Sequence, residues 1–293
     1  MTVAGVKPGS LLARFLLGDR PPEDDAAFKA CCAYLYDHPA VRWLLGDSHH
    51  PGGEELSLHL GGLLGVPPGG LVLDVATGQG GTPRVLAEGL GCRVVGLDFG
   101  APVLPGGRRP ASGPLAFCRG DAEALPFADS SLDAIVCECS FCLLPDKPRA
   151  AAEFRRVLRP GGRLGLSDMT LAADAREDGF ADVLWWAACL ADARPLAEYE
   201  SLMGGAGLHI VRTEDHTAAL AQTLSGVRKK LLVLQIAAKV GEIKLRKSGD
   251  QQGLEAFSLA RELVSEGLSL TKRAQSMLQR GALGYCLLIA ERV

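Results

Sequence analysis

The sequence predicts an α/β fold built on an open, largely parallel sheet. Three observations carry that prediction. A short apolar run, Leu71 to Val75, carries Asp74 near its end and empties into Ala76-Thr77-Gly78-Gln79-Gly80-Gly81, a glycine-rich turn that opens a helix. A second apolar run, Val94 to Leu97, ends at Asp98, roughly 20 residues further on. Strand-like and helix-like segments then alternate through Ser167, the pattern of a parallel sheet covered by helices.

The elements follow in order. Pro21-Pro22 and the acidic Glu23, Asp24 and Asp25 start a helix that runs to about Tyr36. Val41 to Leu45 and Glu54 to Leu64 read as two more helices. The Gly- and Pro-rich segment Gly46 to Gly53, holding His49 and His50, is a loop by composition. Pro83 suits the first turn of the helix after the glycine loop, where no N–H is needed. Gly100 to Pro114 is so rich in Gly and Pro that an irregular or shortened connection is expected. Gly120 to Phe127 is a turn after the third strand, and Ser131 to Val136 is the fourth. Pro160-Gly161-Gly162 ends a helix and leads into a fifth strand, Leu164 to Ser167.

Beyond it, a helix from about Asp178 to Asp192 carries Trp185, Trp186 and Cys189, and a second runs from Pro195 to Gly204. Leu208 to Arg212 is a sixth strand. The best seventh strand is distant, Tyr285 to Ala290. Thr217 to Gly281 carries helical periodicity in two long runs, read as an inserted hairpin that packs over the sheet's carboxyl ends or forms a dimer surface. The expected organisation is a helical segment at 1–65, a ligand-binding α/β unit at 66–215, the hairpin at 216–281 and a final strand at 282–293.

At 293 residues, with 47% hydrophobic and 22% charged residues, the chain has a globular composition. A net charge of −3 gives no electrostatic case for nucleic acid. No apolar stretch approaches a membrane span of about 20 residues. Leu11 to Leu17 is interrupted by Arg14 and too short for a signal-peptide core. A cytoplasmic protein acting on a small molecule is expected, with the oligomeric state open. The nine cysteines then read as buried thiols, ligands or reactive groups rather than disulfides.

The glycine loop is not a dinucleotide fingerprint, because Pro83 stands where a third small residue is required. No Gly-Lys-Ser/Thr follows, which excludes a Walker loop. A carboxylate at Asp74 would repel a pyrophosphate and attract an ammonium or sulfonium. S-adenosylmethionine (SAM) is therefore preferred over NAD or ATP, with Asp98 placed to accept ribose hydroxyls. The ordered set of motifs, across roughly residues 66–215, resembles the class I SAM-dependent methyltransferases. That resemblance implies a Rossmann-like seven-stranded sheet with N-terminal helices and a helical insertion before the last strand. It places Asp74, Ala76, Thr77, Gly78 and Gly80 beside the methionine half, Asp98 on the ribose, and Asp121 with Ala122 near the adenine. Phe99 and Glu138 complete the implied cofactor-binding set. Ala76 replaces the family's first loop glycine, and the segment after Asp98 implies a more open adenine side.

The acceptor side is rich in cysteine. Cys139 lies just past the fourth strand, on the ligand-binding edge. The run from Cys139 through Pro145-Asp146-Lys147, with Cys189 downstream, resembles the arsenite methyltransferases, whose cysteines at these two places hold trivalent arsenic. A soft centre prefers sulfur ligands, and its lone pair can attack a sulfonium methyl without a general base. The family's cysteine before the first strand is absent, no cysteine lying between Cys32 and Cys92, and so is its cysteine-rich tail. Cys31-Cys32 is the possible substitute, provided the N-terminal helix folds across the pocket. The favoured acceptor is thus trivalent arsenic or a related metalloid or thiol, with Cys139, Cys189 and Cys32 as candidate catalytic residues.

Other readings stay open. His49 and His50 belong to an exposed loop or hinge, or to a lid that brings His50 in as a general base for an oxygen, nitrogen or carbon acceptor of the quinone-methylating kind. A SAM-binding regulator without turnover is the alternative outside enzymes. Cys92, Cys118, Cys137 and Cys286 read as inert buried thiols. Cys142 completes a Cys-x-Cys-x-x-Cys, but a structural zinc site wants four ligands and no second pair is apparent, so no metal centre is expected. The tryptophan pair reads as helix packing, and Arg228-Lys229-Lys230 as a solvated helix face.

Overall fold

Seven strands build one mixed sheet: β1 (Leu71–Val75), β2 (Arg93–Asp98), β3 (Leu115–Arg119), β4 (Leu132–Glu138), β5 (Leu158–Leu171), β6 (Leu208–Asp215) and β7 (Leu283–Arg292). Their spatial order is β3-β2-β1-β4-β5-β7-β6. The first five run parallel, while β7 lies antiparallel between β5 and β6. This is the sheet the motifs imply. The computed structural model describes residues 24–46, 48–100, 113–175, 189–190, 192–248 and 251–293, with backbone alone at 240–248, 251–260 and 262–263.

The helices are α1 (Asp25–Asp37), α2 (Pro39–Leu45), α3 (Gly53–Leu63), α4 (Gly81–Leu90), α5 (Lys147–Val157), α6 (Leu196–Gly205), α7 (Thr217–Ser248) and α8 (Gln251–Gln279). Asp24 caps α1 through its carboxylate and the Ala27 N–H, satisfying one of the first turn's orphan donors. Alternation along the strands sorts the core onto two faces. Val72, Ala134 and Val136 pack under Leu56, Leu60 and Leu86 of α3 and α4. Leu73, Ile135 and Cys137 pack with Phe154 and Tyr199 of α5 and α6 on the other face. At Gly61, an added Cβ would lie 2.3 Å from a Leu86 methyl, so the glycine sets how closely α3 approaches α4.

Several expectations change. Strand β5 is longer than Leu164 to Ser167 at both ends, because β7 pairs with it from Arg163 to Leu171. The helix expected to reach Asp192 does not do so: Cys189 sits in a turn at φ 58°, and Leu190 and Asp192 are non-helical. Its earlier part, with Trp185 and Trp186, lies outside the described residues, as do Leu11 to Leu17, Pro21 to Glu23 and most of Gly100 to Pro114. The Arg228-Lys229-Lys230 run is not simply solvated. Lys230 Nζ donates to the carbonyls of Trp43 (2.7 Å) and Leu44 (3.0 Å), and Arg228 reaches Leu268 O at 3.4 Å. Cys118, expected buried, is half-buried, while Cys92, Cys137 and Cys286 are buried.

The α7–α8 hairpin leaves the sheet at the carboxyl end of β6, the edge that also carries the ends of β1 and β4. Its base buries Leu220, Ala274 and Met277 beside Leu171 and Leu190. Among the described residues, no helix is long and apolar enough to cross a membrane.

Candidate active site

The carboxyl ends of β1, β2 and β4 meet the inner face of α1 around one cavity. It is lined by Asp74, Ala76, Thr77, Gly78, Asp98, Phe99, Asp121, Ala122, Glu138, Cys139, Cys32 and His50. Residues far apart in sequence thus converge as the strand order requires. Gly80 stands one step back, as the left-handed residue (φ 74°) that starts α4. Cys189 lies behind the wall and reaches the cavity through Tyr36, which lines it.

The glycine loop owes its path to left-handed backbone at Ala76 (φ 58°), Gly78 (φ 50°) and Gly80 (φ 74°). Alanine at the first of these carries a strain of about 1 kcal/mol that glycine would not. The loop is tied down by Thr77 N–H to Leu97 O (3.0 Å) and by Gly78 N–H to Asp98 Oδ2 (2.9 Å). Asp98 Oδ1 accepts from Gly100 N–H at 2.8 Å.

Asp74 is only 3% exposed, and its Oδ2 is buried without a hydrogen-bond partner. Burial pushes its carboxyl well above the usual carboxylate range, with Glu138 and Asp98 adding repulsion. Among the described residues, no lysine or arginine pairs with Asp74 or Asp98. An orphaned carboxylate oxygen beside other acids is a site that a cation would relieve. The residues present therefore fit the ammonium and sulfonium of SAM.

Asp121 has a different setting from the one its motif suggests. Lys29 of α1 bonds both its oxygens (3.0 and 2.9 Å) and also pairs with the buried Glu123. Gln79 Nε2 donates to Asp37 Oδ1 at 2.5 Å. Through these contacts α1 is fastened across the cavity, which brings Cys32 into its wall.

The acceptor end holds two chemically distinct groups. At the first, Glu138 Oε2 accepts from Ser57 and Thr82 hydroxyls, each at 2.8 Å. His50 Nε2 lies 3.6 Å from the same oxygen, its side chain only 6% exposed, so the exposed-loop reading of His50 is corrected. His50 Nδ1 is 3.1 Å from Pro51 O, an acceptor only, which assigns the proton to Nδ1. His50 Nε2 also lies 3.3 Å from Ser57 Oγ.

The second group is sulfur. Cys139 and Cys189 both adopt positive φ (49° and 58°), and Cys139 N–H is anchored to Ser167 O at 2.7 Å. Cys189 Sγ lies 3.0 Å from Tyr36 Oη. Hydrogen bonds from the Cys139 and Cys142 thiols, then from Tyr36, hold the Cys189 thiol well below its ordinary pKa despite its burial. Its bond to Cys189 and burial raise Cys139, and burial raises Cys142 and Cys32. The cluster thus gathers the Cys139, Cys142 and Cys189 sulfurs and the Tyr36 phenol, with Cys189 Sγ also 3.4 Å from Cys139 O. Asp168, wholly buried beside it, is pushed up to about 7 by burial and by the charge on Cys189.

Sequence reading missed Tyr36, Lys29, Ser57, Thr82, Cys142 and Asp168 as members of this site. Only Cys142 carried a local signal, through its Cys-x-Cys-x-x-Cys spacing.

Residues 73–166 match the Methyltransf_11 family, described as a methyltransferase domain. The chain is 39% identical over 107 residues to the demethylmenaquinone methyltransferase of Renibacterium salmoninarum, covering 36% of this chain and 44% of that protein. It is 30% identical over 150 residues to the arsenite methyltransferase of Halobacterium salinarum, covering 49% of this chain and 38% of that protein. The matches therefore span less than half the length of these relatives. Among solved structures, the 4+2 cyclase SpnF superposes with a TM-score of 0.63 at 18% identity, covering 92% of this chain and 96% of that one. That likeness is one of fold. The strand order and the acid-ended strands agree with the matched segment: residues 73–166 are similar to a methyltransferase domain, and the sheet is that of the class I SAM-dependent fold.

Proposed function

We propose that this protein methylates a small molecule from SAM, and that its acceptor is a soft, thiophilic centre such as trivalent arsenic. When bound, SAM supplies an electrophilic methyl on a sulfonium. Asp74, Thr77 and Gly78 would hold its methionine half, Asp98 its ribose, and Phe99 with Ala122 its adenine. The observation that supports the acceptor is the Cys189 sulfur, held beside Cys139 and Tyr36, with Cys139 and Cys32 in the wall of the same cavity. Cys32 takes the place of the missing cysteine before β1, because α1 folds across the pocket. Three sulfurs around a trivalent centre satisfy its soft character and leave its lone pair free to attack. The residues then act by positioning, with no base needed. Nine free cysteines fit a reducing compartment, the cytoplasm.

A second reading rests on His50. Its imidazole lines the cavity near Ser57 and Glu138, in position to act as a base toward a carbon or oxygen acceptor, and the similarity to a demethylmenaquinone methyltransferase favours a quinone-like substrate.

The test is methyl transfer from SAM to arsenite and to a demethylated quinone, in the wild type, Cys139→Ser and His50→Ala. Loss of arsenite methylation in Cys139→Ser, with His50→Ala active, supports the thiophilic reading. Quinone methylation abolished by His50→Ala and retained in Cys139→Ser supports the second. Tight SAM binding with turnover of neither acceptor points to a SAM-binding regulator.

A further inference from the structure

Away from the catalytic cavity, two histidines and a glutamate converge from three elements. His59 projects from α3, Glu214 from the end of β6, and His216 from the turn that starts α7. Their ligand atoms, two imidazole nitrogens and one carboxylate oxygen, all lie within 4.8 Å of one another. Both Nε2 atoms aim at the same Glu214 Oε2, at 2.7 Å from His59 and 2.9 Å from His216. The two rings sit 5.9 Å apart, centroid to centroid.

From this arrangement we infer a binding site for a divalent transition metal of the zinc class. Imidazole and carboxylate are the borderline donors such ions take, and three protein ligands leave a fourth position for water. That position is open, because the His59 side chain is 44% exposed while those of Glu214 and His216 are 17% and 24% exposed.

The ligands are built in rather than loosely clustered. Arg212 Nε holds the other Glu214 oxygen, Oε1, at 2.5 Å, which leaves Oε2 as a single, oriented ligand atom. His216 is fixed through its backbone: its N–H donates to Tyr285 O (2.8 Å) and its carbonyl accepts from Ala219 N–H (2.9 Å). His59 lies within a regular helix whose next residue, Leu60, is fully buried. Rigid elements therefore present all three donors. On binding, each Nε2 gives up its proton, by release or by transfer to Nδ1, and a metal–nitrogen bond replaces each N–H···O bond.

The site joins α3 to the end of β6 and the start of α7. Helix α3 also carries Ser57, which bonds Glu138 in the catalytic cavity, while β6 and His216 launch the α7–α8 hairpin. An ion here would staple the hairpin's root to the helix that borders the active site.

The experiment is titration of the intact protein with Co²⁺ and Zn²⁺, following the Co²⁺ absorption spectrum, calorimetric stoichiometry and Tm. One equivalent is expected to bind, with a nitrogen–oxygen Co²⁺ spectrum and a rise in Tm. His59→Gln and His216→Gln should each weaken binding by at least about tenfold and abolish the Tm rise. Cys139→Ser/Cys189→Ser should bind as the wild type does. Absence of binding, binding that survives His59→Gln/His216→Gln, or a thiolate-to-cobalt charge-transfer band in the bound form would each overturn the assignment.

Discussion

The Tyr36 hydroxyl and the Cys189 sulfur meet at 3.0 Å, although 153 residues separate them in sequence. The contact joins α1 to the loop behind the cavity and helps to lower the pKa of the buried Cys189 thiol. Tyr36→Phe removes that donor, so the Cys189 pKa should rise. Thiolate absorbance followed against pH, with Cys189→Ser as the blank, checks this. An unchanged titration would mean that Tyr36 does not stabilise the charge. The variant should also lose about 1.5 kcal/mol of stability, the scale of a hydrogen bond to a charged group.

Asp74 should separate stability from binding. Its unpartnered buried oxygen and upward-shifted pKa mean that the apo protein carries an electrostatic cost there. Asp74→Asn keeps the shape and removes the capacity to ionise. Thermal stability should hold or rise by about 1 kcal/mol, while SAM affinity falls by at least about tenfold, the worth of a charge-assisted contact. Differential scanning calorimetry and titration calorimetry together test the pair of outcomes. Unaltered SAM binding would remove Asp74 from the site.

Lys29 is the clamp on α1. Lys29→Met leaves Glu123 and Asp121 without their cation, one of them buried, and should cost about 3 kcal/mol. Lys29→Met/Glu123→Gln should recover part of that loss. Denaturant unfolding measures both, and a fully additive pair would show that the two side chains do not interact.

Asp168 makes stability depend on pH in an unusual direction. Its pKa rises on folding to about 7 from the ordinary 3.8, so the folded state binds the extra proton. Stability should therefore fall as pH rises through that window, by up to about 1.4 kcal/mol per pH unit, and level off above it. Urea unfolding from pH 4 to pH 8 should show this fall in the wild type, and Asp168→Asn should make it shallower, the contribution of Asp74 remaining. A wild-type profile that is flat or rises across the window would refute the assignment.

The strand set was legible because each strand is a short apolar run bounded by glycine, proline or an acid, and such patterns are local. Asp74, Asp98 and Glu138 were legible for a related reason, since a charged residue at the end of an apolar run needs a partner or a ligand. The rest depended on contacts between distant segments. Nothing near Tyr36 or Lys29 marks them as site residues, because their roles come from how α1 crosses the sheet. His59, Glu214 and His216 lie on an exposed helix face and a strand end, and only the folded sheet brings them together. The turn conformation of Cys189 escaped detection because its flanking residues have helical periodicity.

Among the described residues, strand β7 is the only neighbour of β6 and the outer neighbour of β5, yet the chain travels out along α7 and back along α8 before laying it down. Until that last insertion, β5 would present a bare row of backbone donors and acceptors flanked by Leu164 and Leu166, both fully buried in the finished sheet. An unpaired apolar edge of that kind is a template for other chains. Aggregation during refolding should therefore track the delay before β7 docks, and changes that slow hairpin closure should lower the yield of soluble protein even where they leave the native sheet untouched.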